Sequence, residues 1–232
     1  MSQFKYETHL HTSQGSACAT CTGAQMARAY KEFGYTGMIV TDHFFYGNTA
    51  VDRSLPWEAW VNAYCTGYED AKKEGDHIGL QVFFGWESGY HGTEFLVYGL
   101  DKEWLLIHPE IKDATVEEQY QLIHRAGGLV IHAHPFREEV YIPEIRVFPE
   151  YVDGAEVINA SNYVKHGEDG NRMDQKAYEY AKKHKMYMTA GSDIHSTNYI
   201  GGGMSFKRKL TDIHDFIKAV KSGEGRLLGA EH

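Results

Sequence analysis

Residues 4–11 read FKYETHLH, a short run of strand-forming residues that ends on two histidines separated by one residue. Six further short runs of apolar or β-branched residues follow along the chain, and these also tend to end on a polar residue. Longer segments of helical period lie between them, which is typical of repeated βα units. The predicted strands are residues 4–8, 37–40, 80–84, 95–98, 129–131, 155–158 and 186–189.

Five helices are predicted between these strands, at residues 23–33, 57–73, 116–125, 173–183 and 213–221. Glycine commonly follows a helix end, and Gly34, Gly75, Gly127 and Gly223 fit that position. Seven βα units with few hairpin signals favour an α/β barrel closed by parallel strands over an open doubly wound sheet. No long linker divides the chain, so residues 1–232 are predicted to form a single domain, with loops at 47–56 and 137–151 that cover a site.

The composition restricts the classes of partner. A chain of 232 residues with 42% hydrophobic side chains can close one sizeable core. Its formal net charge of -9 offers no basic face for a long nucleic acid, so we expect any phosphate-bearing substrate to be small. The sequence has no apolar run near the roughly 18 residues that span a bilayer and no secretory signal, so a cytoplasmic location without a membrane partner is predicted. Three cysteines agree with a reducing compartment.

Fourteen histidines are the outlier in the composition, and several of them follow predicted strands together with acidic residues. Because residues i and i+2 of an extended segment point the same way, a His-x-His pair can present two ligands to one ion. Five such elements at five strand ends predict a metal centre at the carboxyl end of the barrel. Imidazole with carboxylate suits zinc, manganese or iron. The elements are His9-x-His11, Asp42-His43, Glu87, His132-x-His134 and Asp193-x-His195.

Each element also has a structural interpretation when it is taken alone. A single His-x-His is more often a surface or helix-capping pair than a metal site. Asp42 could cap a following helix, since aspartate is a favoured N-cap residue. Glu87 could be a buried carboxylate paired with an arginine. Folding alone does not require histidine and acidic residues at the ends of five strands, so the five elements together favour the metal centre.

The same elements belong to a longer series of motifs in a fixed order. They are His9-x-His11, Thr41-Asp42-His43, Gly85-Trp86-Glu87, His134-Pro135, Glu156 within residues 153–157, and Gly191-Ser192-Asp193-x-His195. Over almost its whole length the chain resembles the PHP family, named for polymerase and histidinol phosphatase, in its small stand-alone form. The resemblance implies a distorted (β/α)7 barrel and a centre of two or three divalent metal ions.

Carried over by position, the resemblance implies which residues hold each ion. The first metal takes four ligands, the second shares Glu87 and adds His134, and the third lies on two histidines. Glu94 stands where the family usually has a further histidine for the second metal, which favours manganese or iron over zinc, and His91 is the alternative. The first set is His9, His11, Glu87 and Asp193; the last is His43 and His195.

The segment after His11 departs from the family pattern, because no aspartate or histidine is present there to complete the third site. The alternatives are a weak site, a water ligand or recruitment of Cys18. Cys18 and Cys21 also have the spacing of a redox dithiol, but no thioredoxin-like context surrounds them. His132 invites a ligand role through its spacing to His134, and support of a ligand is the favoured alternative.

The predicted reaction is hydrolysis of a phosphate ester by a hydroxide that bridges two metals. Asp193 or His195 is expected to relay a proton to the leaving alcohol. Glu156 either orients the site by hydrogen bonding or is a carboxylate of the barrel core without a catalytic role. Arg137 is expected to contact the phosphate; the alternative is a solvated pair with Glu138 or Glu139. No cysteine is expected to act as a nucleophile beside a base.

Three functions remain open at this point. A small-molecule phosphomonoesterase, for a substrate such as histidinol phosphate or a nucleotide, is preferred. An exonuclease or phosphodiesterase for short oligonucleotides, and a metal-binding regulatory module without turnover, are the alternatives. The sequence specifies neither the substrate, the native metal nor the oligomeric state.

Overall fold

The computed structural model describes residues 3–229 and contains nine strands and eight α-helices within that range. The strands are β1 (Phe4–Leu10), β2 (Gly37–Val40), β3 (Gln81–Tyr90), β4 (Thr93–Tyr98), β5 (Leu129–Ala133), β6 (Gly154–Asn159), β7 (Tyr187–Gly191), β8 (Gly203–Phe206) and β9 (Arg226–Leu228). The helices are α1 (Gly23–Glu32), α2 (Trp57–Tyr64), α3 (Thr66–Ile78), α4 (Lys102–Ile107), α5 (Val116–Arg125), α6 (Ala160–His166), α7 (Glu168–His184) and α8 (Ile213–Lys221). Short 3-10 helices lie at Pro109–Asp113 and Pro149–Tyr151.

The first seven strands follow one another around the sheet in chain order, from β1 to β7. The two ends of this series meet beyond β7, where the Asp193 amide donates to the His9 carbonyl at 2.8 Å and the His11 amide donates to the Ile194 carbonyl at 2.9 Å. Leu10 and Ile194 form a parallel bridge between these hydrogen bonds. The sheet therefore closes into a nearly complete barrel, and the predicted α/β barrel fold is confirmed.

One strand runs against the prediction of a barrel closed by parallel strands. β4 pairs antiparallel with both β3 and β5, whereas β1–β2, β2–β3, β5–β6 and β6–β7 are parallel. The reversal follows from a tight turn after β3, where His91 and Gly92 have positive φ angles of 51° and 86°. Gly92 tolerates this conformation without steric cost, so the chain folds straight back.

Other boundaries also differ from the prediction. β3 continues to Tyr90, so Glu87 lies within the strand rather than after it, and β8 and β9, which the sequence patterns did not predict, extend the sheet beyond β1. The helix predicted at 57–73 is divided at Cys65 into α2 and α3. Gly75 lies inside α3, and Gly79, with a φ of 74°, ends that helix instead. The other three predicted stop glycines follow helix ends with positive φ.

The core surrounds the barrel in several clusters. One packs large aromatic side chains such as Trp60 and Trp86 between the sheet and α2, and another packs Tyr6, Phe206 and Phe216 beside β8 and α8. Both limit movement of the strands, since close-packed interiors have low compressibility. The helices of residues 3–229 are all too short or too polar to cross a membrane. The assignment of residues 1–232 to one domain stays a prediction.

A buried carboxylate fixes the closure of the barrel beneath the predicted site. Glu7 accepts hydrogen bonds from the Ser192 amide at 2.9 Å, from the Ser192 hydroxyl at 2.5 Å and from the Tyr30 hydroxyl at 2.8 Å. These bonds join β1, the end of β7 and α1. Because burial without partners is costly for a carboxylate, such a satisfied network holds the two ends of the barrel in one register.

Candidate metal centre

The structure brings together all eight residues that the sequence nominated as metal ligands. They form four overlapping groups of three, and within each group one potential ligand atom from each residue lies within 4.8 Å of the others. The overlaps make one continuous cluster at the end of the barrel where the parallel strands have their carboxyl ends and the antiparallel β4 has its amino end. The groups are His9–His11–Asp193, His9–Glu87–His134, His43–Glu87–Glu94 and His11–His43–His195.

β1 ends on the first pair of ligands. His9 and His11 point to the same side of the extended chain, and their Nε2 atoms lie 3.2 Å apart. Leu10 between them points into the core. This alternation is the ordinary consequence of strand geometry, in which successive side chains lie on opposite faces.

Glu87 lies at the centre of the cluster and is fully buried. Its Oε1 is 3.2 Å from His9 Nε2 and 3.3 Å from His134 Nε2, while its Oε2 is 2.8 Å from His43 Nδ1. Burial alone raises the pKa of Glu87, but the imidazoles of His9 and His43 outweigh it and hold the pKa well below its usual value. An ionised carboxylate with its two oxygens turned to different histidines is suited to lie between two cations.

Glu94 enters the cluster from β4, opposite the end of β5. Its carboxylate oxygens lie 3.8 Å from His43 Nδ1 and 3.5 Å from His134 Nε2. Burial, and then the neighbouring charge of Glu87, raise the pKa of Glu94. The other candidate, His91, belongs to none of the four groups and lines the cavity above them.

Asp193 is held by an arginine rather than left free. The Arg137 Nη1 donates to Asp193 Oδ2 at 2.5 Å, and the same guanidinium donates to Asn162 Oδ1 and Asn159 Oδ1 at 3.0 and 2.8 Å. Burial opposes ionisation of Asp193, yet the Arg137 charge lowers its pKa well below the usual value. These three acceptors take three of the five guanidinium N–H groups.

The alternative in which Arg137 forms a solvated pair is wrong. Its side chain is only 3% exposed. Glu138 pairs instead with Lys176 at 2.8 Å, and Glu139 pairs with His166 at 3.0 Å. The sequence pattern could not separate these outcomes, because the partner of Arg137 lies 56 residues away along the chain.

Two histidines of the cluster have a fixed orientation because their second ring nitrogen has a partner. Glu156 Oε1 lies 3.0 Å from His9 Nδ1, and Glu156 Oε2 accepts from the His134 amide at 3.1 Å. Ser16 Oγ lies 3.0 Å from His11 Nδ1. Such partners orient an imidazole and leave its other nitrogen available to a metal. Glu156 therefore has the orienting position that the sequence suggested.

Asp42 is neither a ligand nor a helix cap. It accepts from the Ser16 hydroxyl at 2.7 Å and from the Thr12 amide and hydroxyl, both at 2.6 Å. Because the Ser16 proton goes to Asp42, the Ser16 oxygen must accept from His11 Nδ1–H. The Asp42 side chain thereby sets the His11 tautomer through Ser16, which lies between them. Sequence reasoning missed Ser16 entirely, since a serine in a loop carries no distinctive pattern.

His132 has no hydrogen bond to the cluster. Its ring stacks on Phe95 at 5.0 Å and meets Tyr180 edge-on at 5.9 Å, and its Nδ1 lacks a partner among residues 3–229. Burial lowers the pKa of His132 to about 3, with a further contribution from His134. The favoured supporting role is therefore wrong. His132 is a neutral core residue.

Cys18 lies beside the outermost group of the cluster. Cys18, His43 and His195 line the same cavity. Burial raises the pKa of the thiol, but the hydrogen bonds to His195 and His43 lower it to about 6. The expectation that no cysteine acts as a nucleophile stays a prediction. Residue 18 reaches the histidines only through the folding of a loop.

The donor set fits divalent cations. Within the described part of the chain, His43 Nδ1 and Glu87 Oε2 are buried without a hydrogen-bond partner, although they lie 2.8 Å apart. Unpartnered buried polar atoms are costly, and a cation between them would remove that cost. Imidazole nitrogens together with carboxylate oxygens are the ligands of zinc, manganese and iron sites.

A cavity of about 540 Å³ opens directly over the cluster. His43, Glu94, Asp193 and His195 form its floor. Its walls combine aromatic and cationic side chains, which are Tyr46, His91, Arg137, Tyr141 and Lys165. Cavities of several hundred Å³ accommodate small molecules.

Solved structures share this architecture. A two-domain protein from Bacteroides vulgatus, containing a predicted PHP-like metal-dependent phosphoesterase, aligns with a TM-score of 0.69 and 14% identity over 97% of this chain. The alignment covers 64% of that protein, so this chain spans less than two thirds of its length. The chain has the PHP fold. A proposed metal-dependent phosphoesterase from Bifidobacterium adolescentis aligns with a TM-score of 0.57 and 15% identity, over 93% of this chain and 95% of its own.

A third solved structure is an amidohydrolase from Chromobacterium violaceum with bound sulfate and no metal, with a TM-score of 0.55, 16% identity and coverage of 84% of this chain and 88% of its own. A family model described as PHP-associated matches residues 172–224. No curated protein matched. The resemblance to the PHP family predicted from the sequence is therefore confirmed.

Proposed function

We propose that this chain is a metal-dependent phosphoesterase that removes phosphate from a small phosphomonoester. The observation that carries the proposal is the continuous cluster of eight ligand residues beneath an open cavity of about 540 Å³. Two proteins of similar fold, from Bacteroides vulgatus and Bifidobacterium adolescentis, bear names of metal-dependent phosphoesterases. Likeness of fold alone does not carry an activity, so the argument depends on the site.

The cluster would hold two or three divalent cations, and because each imidazole nitrogen can bind only one ion, the four overlapping groups are alternative sets of ligands rather than four separate sites. When bound, such cations activate water at neutral pH and neutralise charge on phosphoryl oxygens. Glu87 separates neighbouring positions in the cluster, and Arg137 holds Asp193 ionised and in place. Arg137 also lines the cavity, together with Tyr141, so its guanidinium is placed to contact an oxygen of the phosphate.

His195 is the better candidate for proton transfer to the leaving alcohol. Its side chain is 24% exposed, against 3% for Asp193, and it lines the cavity. Its Nδ1 lies 3.0 Å from the Asp193 carbonyl oxygen, so Nε2 is the only ring nitrogen left, and Nε2 can transfer a proton only when the group of His11, His43 and His195 holds no ion. Asp193 is a poor proton donor because its pairing with Arg137 keeps it ionised.

A small substrate is favoured over an oligonucleotide by two observations. The cavity volume matches a single small molecule, and the net charge of -9 provides no extended basic groove for a polyanion. The positive groups near the site, Arg137 and Lys165, both line the cavity itself. A phosphate bound there meets cations at close range, whereas the backbone of a longer nucleic acid outside it does not.

The test compares two products on one preparation. Protein purified without a histidine tag is analysed for metal content and then supplied with manganese, zinc or iron. Release of inorganic phosphate from a panel of monoesters is measured beside shortening of an end-labelled oligonucleotide, and Glu87→Gln serves as the inactive control. We expect phosphate release that falls at least ~1000-fold in the variant. Shortening of the oligonucleotide alone would contradict the monoester proposal, and a metal-loaded protein inactive on both would favour a regulatory module.

A further inference from the structure

The Arg137 guanidinium is held by one charged and two neutral acceptors, one on each of its three nitrogens. Nη1 donates to Asp193 Oδ2, Nε donates to Asn162 Oδ1 at 3.0 Å, and Nη2 donates to Asn159 Oδ1 at 2.8 Å. Asn159 is the last residue of β6, and Asn162 lies in α6 directly after it. A guanidinium is planar and its donors point in fixed directions, so acceptors on all three nitrogens fix both its position and its plane.

The opposite end of each asparagine amide faces a carboxylate. Asn159 Nδ2 donates to Glu156 Oε2 at 2.8 Å, and Asn162 Nδ2 donates to Asp174 Oδ1 at 2.8 Å. An ionised carboxylate only accepts hydrogen bonds, and the nitrogen of an amide only donates them. The two acids therefore hold both amides with the nitrogen turned away from Arg137 and the oxygen turned towards it.

Asp174 differs from Glu156 in having no contact with the metal cluster. It lies in α7, belongs to none of the four groups of possible ligands, and lines a separate cavity of about 420 Å³ instead of the cavity over the cluster. Its carboxylate also accepts from the backbone amide of Asn159 at 3.3 Å. Asp174 can therefore act on the reaction only through the residues that hold Arg137.

Burial of Asp174 has a cost for the fold. It raises the pKa of Asp174 to about 7, although the hydrogen bonds from Asn162 and Asn159 oppose the shift. Because the same acid has its ordinary pKa of 3.8 in the unfolded chain, its burial lowers the stability of the folded state at pH values above 3.8. Perturbed carboxyl groups of this kind are common at functional sites.

We propose that Asp174 is a positioning residue that acts through Asn162 to hold the Arg137 guanidinium in the plane in which it meets the phosphate. This role rests on the proposed phosphoesterase function and extends its site from the cavity to α7. Without the carboxylate, the Asn162 amide is free to turn its nitrogen towards Arg137. Two donors then face each other, and the guanidinium loses one of its three acceptors.

The experiment compares three substitutions in the full chain. Asp174→Ala removes the acceptor, whereas Asp174→Asn keeps an oxygen that can accept from Asn162 Nδ2. Asp169→Ala is the matched control, since Asp169 is an exposed aspartate of the same helix that pairs with Arg172. Urea unfolding establishes that each variant is folded, and a role of Asp174 in the fold alone would change only this measurement.

The first readout is the nuclear magnetic resonance signal of the Arg137 Nε–H group, recorded on protein supplied with diamagnetic zinc and identified by its loss in Arg137→Lys. We expect a signal protected from exchange with water in the wild type, because the group is buried and hydrogen-bonded to Asn162. Protection should persist in Asp169→Ala and Asp174→Asn. Asp174→Ala should shift the signal and expose it to exchange.

The second readout is steady-state hydrolysis of p-nitrophenyl phosphate. We expect kcat/KM to fall about 10- to 100-fold in Asp174→Ala, since a small misplacement of a positioning group has effects of this order. The fall should include a rise in KM and weaker inhibition by inorganic phosphate, because Arg137 contacts the phosphate. Asp174→Asn should recover most of the loss. In an Arg137→Lys background, Asp174→Ala should cause no further loss, because no guanidinium remains to be positioned.

Two results would overturn the proposal. The first is an Arg137 signal in Asp174→Ala with the position and protection of the wild type. The second is an equal loss of kcat/KM from Asp174→Ala in the wild type and in the Arg137→Lys background, which would mean that Asp174 acts without Arg137. A wild type that hydrolyses no phosphate ester would count against the proposed function, whereas the Arg137 signal would still decide whether Asp174 positions the guanidinium, so the two failures are distinguishable.

Discussion

Two His-x-His motifs with the same spacing place their side chains differently in this molecule. In the first, His9 and His11 both face the cluster from the end of β1, with their Nε2 atoms 3.2 Å apart. In the second, His134 faces the cluster while His132 is packed against Phe95 in the core. Strand alternation predicts the same direction for both members of each motif, so one of the two motifs breaks the rule.

The backbone explains the difference. β5 ends at Ala133, and His134 has a positive φ of 27°, outside the strand conformation. This turn directs the His134 side chain towards Glu87, with His134 Nε2 3.3 Å from Glu87 Oε1. The His132 side chain instead packs against Phe95 in the core. The conformation is unusual for a residue other than glycine and is held here by the bond from the His134 amide to Glu156. Spacing in sequence gives ligand pairs only where the extended conformation continues through both residues.

The largest effect on activity should come from substituting one histidine in each of the two motifs and comparing the results. His11→Ala removes a nitrogen shared by two groups of the cluster, so we expect metal-dependent hydrolysis to fall at least ~1000-fold, equivalent to several kcal/mol of transition-state stabilisation. His132→Phe should stay within about twofold of the wild type, because that ring makes no contact with the cluster and Phe keeps the aromatic packing. Steady-state kinetics of both variants test this. A large loss in His132→Phe would refute the distinction.

A smaller effect is expected from the residue that supports both motifs. Glu156 orients His9 through its Nδ1 and holds the turn at His134, so Glu156→Gln should weaken metal binding 10–100-fold without unfolding the protein. Glu150→Gln, at an exposed position on the turn before β6, is the matched control and should have no effect. Titration with a chelator in competition for zinc measures both affinities. Equal metal affinities for the two variants would show that Glu156 does not orient the metal-binding histidines.

The smallest effect concerns stability rather than activity. The folded state keeps His132 neutral, with a pKa lowered to about 3, whereas the unfolded chain has the ordinary value of 6.5. Protons therefore bind the unfolded state first as the pH falls below 6.5, and the stability that neutral His132 provides is lost between pH 6.5 and about 3. At pH 5.5 the loss is about 1 kcal/mol.

His132→Phe should remove this pH-dependent loss. Urea unfolding of the metal-free wild type and variant at pH 7.5 and pH 5.5 gives the test, since the packing difference between His and Phe cancels when each protein is compared with itself. We expect the wild type to lose about 1 kcal/mol more than the variant over this interval. Parallel losses in the two proteins would mean that His132 is protonated in the folded state.

Much of the fold was predictable because it depends on local pattern. All seven barrel strands and helices such as α5 and α8 follow from apolar period and terminal signals. The reversal of β4 was not predictable, because His91-Gly92 does not resemble the usual hairpin turns and the strand is apolar on both faces. The helices α4 and α6 are too short to show a clear period.

The site divides in a similar way. The eight nominated residues could be listed because strand ends gather at one side of a barrel, and this holds whatever the exact contacts are. The partners of Arg137, the course of His132 and the place of Cys18 depend on contacts between distant segments. Ser16, which sets the orientation of His11, lies in a loop whose path no periodic pattern specifies.

The seam between the first strand and the segment after the seventh has a consequence for folding. An ion held by His11 and Asp193 would join positions 182 residues apart in the chain and would act as a reversible crosslink across most of the polypeptide. Closing so long a loop removes much of the freedom of the unfolded chain, which is how a disulfide over a long loop stabilises a protein. Removal of the ions by a chelator should therefore lower the local stability where β1 meets the segment after β7, as well as the metal-dependent activity. The hydrogen-exchange rate should rise first at the amides of His11 and Asp193.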